Sequence, residues 1–284
     1  MKFSLVLATL GRSHDLGRFF ESAAAQTHRS FEVIVVDQND DDRVVPYVKQ
    51  ARARGVVVLH LRSAPGLSRA RNIGLLPASG DVIAFPDDDC WYVPDALSQA
   101  SAAFSAHPEW DGIVARWFEQ GEAAIPTPKS SMLSSERWRQ FRDGDASSIT
   151  LFLRRRLVER IGGFDESLGL GSWFAAAEET DLVLRALAAD AVIVRRDNIV
   201  VRHKFASYLM VPAASQWRQN LQRSRGTGAI YVKHKLSPLV VIRGLVSPAL
   251  KAFAFPINFG RLVNGFATSI GRIQGMLLWT WRSR

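Results

Sequence analysis

Between residues 2 and 85, short apolar runs alternate with amphipathic ones, and this rhythm constrains the fold more than any other feature of the chain. KFSLVLA (2–8), FEVIVVD (31–37), VVVLHL (56–61) and DVIAF (81–85) read as buried strands. DLGRFFESAAAQ (15–26), residues 43–54 and SRARNIGLL (68–76) read as the helices between them. In the first helix Leu16, Phe19, Phe20 and Ala23 share one face. Strands that alternate with helices pair in parallel, because each helix carries the chain back across the sheet. The expected fold is therefore α/β, with a mostly parallel central sheet flanked by helices. In such sheets a ligand sits at the carboxyl ends of the strands.

Those ends carry the chemistry. Thr9, Gly11 and Arg12 follow the first strand, Asp37 ends the second, and Asp87, Asp88 and Asp89 follow the fourth. Adjacent carboxylates repel and raise each other's pKa, so a row of three needs compensation, for which a divalent cation is one candidate and a solvated loop the other. Asp87 and Asp89 sit two apart, on one face of an extended segment. Hard oxygen donors suit Mg2+ or Mn2+, and so few of them leave the coordination shell to be completed by substrate phosphates. Asp37 is placed to reach a base or ribose, and the Arg71 guanidinium matches a diphosphate. The chain lacks both the P-loop pattern and a G-x-G-x-x-G turn after the first strand. VVDQND superficially resembles an Asp-nucleophile phosphatase, but Asn39 stands where a second aspartate is needed.

The second half is less regular. GIVARWF (112–118) and SSITLFL (147–153) read as strands, with residues 119–147 as a long loop. RRRLVERIGGFDESLGLG gives a short helix and a glycine-rich turn, and EETDLVLRALAA (178–189) a helix with acidic residues in its first turn. AVIV and NIVVRHK read as two late strands. From Pro212 onward the chain reads as helical.

Charge divides the chain of 284 residues. Residues 205–284 hold eleven Lys or Arg and no Asp or Glu, while all 27 acidic residues lie in 1–204 beside 25 of the 36 basic ones. The expected organisation is a catalytic domain over 1–205 and a basic helical extension over 206–284. Residues 236–260 are interrupted by Arg243, Lys251 and three prolines, so they lack the ~20 clean apolar residues of a spanning helix. Leu262, Phe266, Ile270, Ile273, Leu277 and Trp281 form one helical stripe next to basic residues, as in a helix lying among anionic headgroups. Packing of this stripe on the body, or on a second copy in a homo-oligomer, is the alternative. A nucleic-acid partner is not expected, because the acidic rim repels phosphates and such binding does not need so many aliphatic side chains. Cys90 alone allows no internal disulfide and fits a reducing compartment. The apolar N-terminal run is too short for a secretory signal. The expected location is cytoplasmic, peripheral on the inner face of the cell membrane.

VLATLGR (6–12), FEVIVVDQNDDD (31–42), GLSRARNIGL (66–75), GDVIAFPDDDCW (80–91), GGFDESLGLG (162–171), EETDL (178–182) and VRH (201–203) occur in an order and spacing that resembles family 2 glycosyltransferases of the GT-A fold, of the bacterial glycan-biosynthesis type. The resemblance implies an inverting transferase that moves a sugar from a nucleoside-diphosphate sugar to an acceptor hydroxyl, for which a lipid-linked glycan is one candidate, with Mn2+ or Mg2+. It also implies roles for residues. Asp87-Asp88-Asp89 matches the D-x-D motif, with Asp89 the principal metal ligand, Asp87 near the metal or ribose, and His203 near the metal or diphosphate. Thr9, Arg12, Asp37, Arg71 and Asp88 match the nucleotide-sugar site. Gly163, Phe164, Asp165 and Trp173 fall beside the acceptor pocket. In EETDL the second acidic position is Glu179, the favoured catalytic base, with Asp181 in support and Glu178 third. The processive Q-x-x-R-W signature is absent, so transfer of one sugar is expected. Cys90 reads as a packed side chain. A metal-dependent nucleotidyltransferase is the competing reading, and it leaves Glu179 without a task.

Overall fold

The computed structural model describes residues 1–119, 130–142, 146–203, 213–252 and 259–282. Strands β1 (Phe3–Thr9), β2 (Phe31–Asp37), β3 (Val58–Arg62) and β4 (Val82–Ala84) run parallel in the order β3-β2-β1-β4. Helices α1 (Leu16–Ala24), α2 (Val45–Ala53) and α3 (Leu67–Leu75) connect them, as the alternation predicts. β5 (Cys90–Tyr92) and α4 (Ala96–Ala106) follow. Beyond β4 the sheet turns mixed. β8 (Leu151–Arg154) lies antiparallel between β4 and β6 (Gly112–Glu119), β9 (Ile193–His203) runs parallel to β6, and β5 closes that edge. β7 (Ser130–Met132) pairs antiparallel with β9. The remaining helices are α5 (Ser135–Arg139), α6 (Arg155–Ile161), α7 (Glu178–Ala188), α8 (Ala213–Lys233), α9 (Pro238–Ala252) and α10 (Phe259–Arg282).

Alternation along β1 divides the core between two layers. Phe3, Leu5 and Leu7 face α1 residues Phe19 and Phe20, while Val6 and Ala8 face the layer that holds Ala70 and Leu182. Gly74 lets α3 lie directly on the sheet: a Cβ there would come within 2.5 Å of Val6 Cγ1. That approach carries Arg71 beneath the carboxyl rim.

Three local expectations are corrected, and one strand was not anticipated. The stretch 119–147 is not wholly loop, since β7 and α5 form within it, α5 capped by the Ser134 hydroxyl. The segment read as a strand from Ser147 opens with a 3-10 turn over Ser148–Thr150, where the Thr150 hydroxyl donates to the Ser147 carbonyl at 2.7 Å. The two late strands are one, continuous past a register shift opposite Ala115 and Arg116. β5 rises directly out of the aspartate run, so polar residues hide its start. The basic tail packs on the body along part of α8. Ala229, Ile230 and Tyr231 of α8, with Leu236 and Val240, join the same apolar cluster as Phe164 and Phe174.

Candidate active site

Register places the predicted polar residues along one rim. Thr9 pairs with Asp37 across β1 and β2, and Ala8 bridges to Asp87. The three aspartates leave β4 in different directions, Asp87 towards Arg71 and the other two towards Arg12. Asp87 Oδ1 accepts from Arg71 at 3.0 Å. Asp88 accepts from the buried Thr9 hydroxyl at 2.8 Å and pairs with Arg12 at 2.8 Å. Asp89 pairs with Arg12 at 2.5 Å and faces His203 Nε2 at 3.3 Å.

Their titration follows from these surroundings. Burial, then the Asp89 and Glu178 charges, raise Asp87 above the ordinary carboxylate range against the pull of Arg71. Burial pushes Asp88 up to about 6, with Arg12 and the Thr9 hydroxyl opposing. Burial also acts on Asp89, but the His203 hydrogen bond and Arg12 outweigh it and hold the group low. Of the three aspartates, the one beside His203 is the one whose pKa is held below the ordinary carboxylate range.

Arg71 is 1% exposed and binds three groups: Asp87, Glu178 at 3.1 Å and the Ser148 hydroxyl at 2.7 Å. The fork thereby ties α3 to the rim, to the 3-10 turn and to α7. Ala177, in the left-handed region at φ 73°, launches α7 so that neighbouring acidic side chains diverge. Glu178 turns inward to Arg71, whereas Glu179 lines a cavity of about 380 Å³ with Trp117, Trp138, Phe141, Thr180 and His203. Burial, then the Glu178 charge, push Glu179 up to about 8. The Trp138 indole N–H is buried without an acceptor among the described residues. Phe141 is backed edge-on by Tyr231 of α8, with ring centres 5.9 Å apart.

Several expected site residues take other positions. Asp181 does not line this cavity: it is fully buried and bound to Arg185 at 2.8 Å, Lys233 at 2.6 Å and His234 at 2.8 Å. It stands three residues after Glu178, so helical periodicity turns it inward with Glu178. Those cationic partners hold Asp181 far below the usual carboxylate range against the cost of burial. Asp37 is fully buried, and both its oxygens are engaged, by Asn39 on one side and by His60 and Arg62 on the other. These contacts tie Asp37 to Arg62 and His60 at the end of β2. The residues expected beside an acceptor do not line this cavity. Gly163 packs on Asn72, Phe164 is buried against Phe85, Asp165 pairs with Lys233 at 2.7 Å, and Trp173 lies under Arg225. Cys90 is buried and donates to the Asp87 carbonyl, as a packed thiol should.

No group of three His, Cys, Asp or Glu side chains among the described residues forms a protein-only metal cage. The donor set still fits a hard divalent ion shared with a phosphate ligand. Asp89 carries an ionised carboxylate against the His203 imidazole, and Asp87 stands two residues away on the same rim.

A parallel strand array with its crevice at the carboxyl rim, extended by a mixed half-sheet and edged by a D-x-D run, defines a GT-A-type protein. The profile described as Glycosyl transferase family 2 matches residues 4–162, and the chain belongs to that family. An uncharacterized glycosyltransferase of Haemophilus influenzae is 30% identical over 105 residues, covering 37% of this chain and 35% of that protein. The glucosyl-dolichyl phosphate glucuronosyltransferase of Haloferax volcanii is 26% identical over 226 residues, covering 73% and 71%. The match spans about a third of the length of the first curated relatives. Among solved structures, the mannosyltransferase PcManGT from Pyrobaculum calidifontis in complex with GDP-Man and Mn2+ superposes with a TM-score of 0.63, at 14% identity, over 100% of this chain and 88% of that one.

Proposed function

We propose that the protein moves one sugar from a nucleoside-diphosphate sugar to an acceptor hydroxyl with inversion at the anomeric carbon. The observation that carries this reading is that His203 lines the Glu179 cavity and also faces Asp89, so one crevice holds a diphosphate-type site and a base. Glu179 takes the proton of the acceptor hydroxyl as that oxygen attacks C1. The bond from C1 to the diphosphate oxygen breaks on the opposite face, and nucleoside diphosphate leaves with the electron pair. A divalent cation at Asp89, beside His203 and with its shell completed by the diphosphate, would neutralise charge on the leaving group. Arg12 and Arg71 hold the aspartates that frame it. Trp117, Trp138 and Phe141 offer aromatic faces to an acceptor sugar, and the Trp138 N–H offers a donor. The Haloferax relative's name specifies a lipid-linked substrate, and a lipid-linked glycan suits this cavity as acceptor. Without the processive signature, a single addition per encounter is the reading.

Calorimetry of nucleoside diphosphate with and without Mn2+ tests the site. Binding should weaken sharply when the ion is chelated, and Asp89→Ala should remove that dependence. Equal affinity with and without chelator contradicts the metal role.

A base works only when ionised, so the raised Glu179 pKa fixes a direction for pH dependence. Transfer kcat/KM should rise with pH and level off above about 8. Below that value it should fall by about tenfold per pH unit. A flat profile from acid to neutral pH would exclude Glu179.

Trp138→Ala removes an aromatic wall and the unpaired N–H. Acceptor KM should rise by roughly tenfold or more, while donor hydrolysis in the absence of acceptor stays near normal. A selective loss of donor affinity would place the nucleotide sugar, not the acceptor, against this wall.

A further inference from the structure

The tail presents two exposed apolar stripes. On α10, Phe266, Ile270, Ile273, Leu277 and Trp281 recur at steps of three and four and are all exposed, Trp281 by 76%. On α9, Leu239, Ile242, Val246 and Leu250 do the same, Leu239 by 79%. The inner edges of both helices are already occupied. Ala267, Gly271 and Gly275 of α10 are buried, and a Cβ at either glycine would strike the α8 backbone at Leu221 or Arg225. The Ser269 hydroxyl donates to the Leu245 carbonyl at 2.6 Å, and Arg272 donates to the Gly244 carbonyl, so α9 lies alongside α10. Helical spacing therefore puts the two stripes next to each other, away from α8.

Monomeric soluble proteins rarely expose a continuous apolar face of this extent. Among the described residues no helix is long and apolar enough to cross a membrane. Exposed Lys235, Arg243 and Arg282 lie on or beside these helices, and residues 205–284 contain no acidic side chain. We propose that the outer face of α9 and α10 docks on an anionic lipid bilayer, with both helices lying in the headgroup layer. Such a surface supplies both the apolar layer and the negative charge. A second copy of the same face would set basic residues against basic ones. α10 is also tied to the catalytic body: Trp279 packs on Phe174 with ring centres 5.1 Å apart, and Lys233 lies over the Trp279 ring. Docking would thus hold the cavity at the membrane surface. The lipid-carried acceptor belongs to the reading above, while docking itself rests on the helix faces.

Flotation of the full chain with vesicles decides the matter. With phosphatidylcholine–phosphatidylglycerol vesicles the protein should float, with a bound fraction at least about tenfold above that on phosphatidylcholine alone, falling in high salt. Ile270→Glu with Leu277→Glu alters exposed positions and should leave circular dichroism and donor turnover in solution unchanged. Vesicle binding should drop by about tenfold or more. Wild-type protein that stays at the bottom of the gradient overturns the proposal. So does light scattering that shows a dimer abolished by the double variant, which would assign the face to a second copy. Flotation without donor turnover in either protein supports docking and counts against glycosyl transfer.

Discussion

Glu179→Gln is expected to lower sugar transfer by roughly two to four orders of magnitude while leaving the fold and donor affinity intact. Glutamine keeps the size and most of the polarity of the side chain but cannot accept the acceptor's proton. The size of the loss follows from position. Among the described residues Glu179 is the carboxylate that lines the aromatic cavity, while Glu178 is bound to Arg71 and Asp181 is enclosed by Arg185, Lys233 and His234. The substitution should also abolish the rise of rate with pH, since the titrating group is gone. A variant with near-normal kcat would move the base elsewhere and remove the main support for a single displacement.

Arg71→Ala should damage the fold as well as the site. The guanidinium is 1% exposed and stands between Asp87 and Glu178. Its removal leaves two carboxylates facing each other without a counter-charge, and breaking a buried pair in this way costs about 3–5 kcal/mol. The urea midpoint should fall accordingly, and donor binding should weaken because the rim loses its anchor to α7. Arg71→Lys should recover only part of either effect, since an ammonium cannot reach three acceptors with fork geometry. An unchanged midpoint in Arg71→Ala would mean that the network bears little of the fold.

What the sequence discloses depends on whether a residue acts within a local pattern. β1 and β2 are legible because both faces are buried, which leaves unbroken apolar runs such as Val33 to Val36. Asp87, Asp89, Arg71, Glu179 and His203 are legible as members of short motifs at strand and helix ends. The aromatic cavity is not. Trp117 lies on β6, Trp138 on α5 and Phe141 just beyond it, and no spacing links them to Glu179. The spacing within EETDL does not by itself show why Glu179 faces the cavity and Glu178 does not, because the helix phase is set by the left-handed turn at Ala177 and by Arg71 beneath it. Lys233 and His234 were invisible as partners of Asp181 for a related reason: more than fifty residues separate them, and only packing of α8 on α7 brings them together. The apolar stripe of α10 was readable from its period, whereas the matching stripe on α9 was obscured by Arg243 and Pro248.

The central claim is that one crevice binds a nucleoside-diphosphate sugar and passes its sugar to a hydroxyl. The most direct measurement is the phosphate product released when the full chain meets a panel of nucleotide sugars with Mn2+. Glycosyl transfer predicts free nucleoside diphosphate from at least one donor, accelerated by an acceptor glycan and reduced about a hundredfold or more in Glu179→Gln. Release of pyrophosphate, or release that Glu179→Gln leaves unchanged, would contradict it.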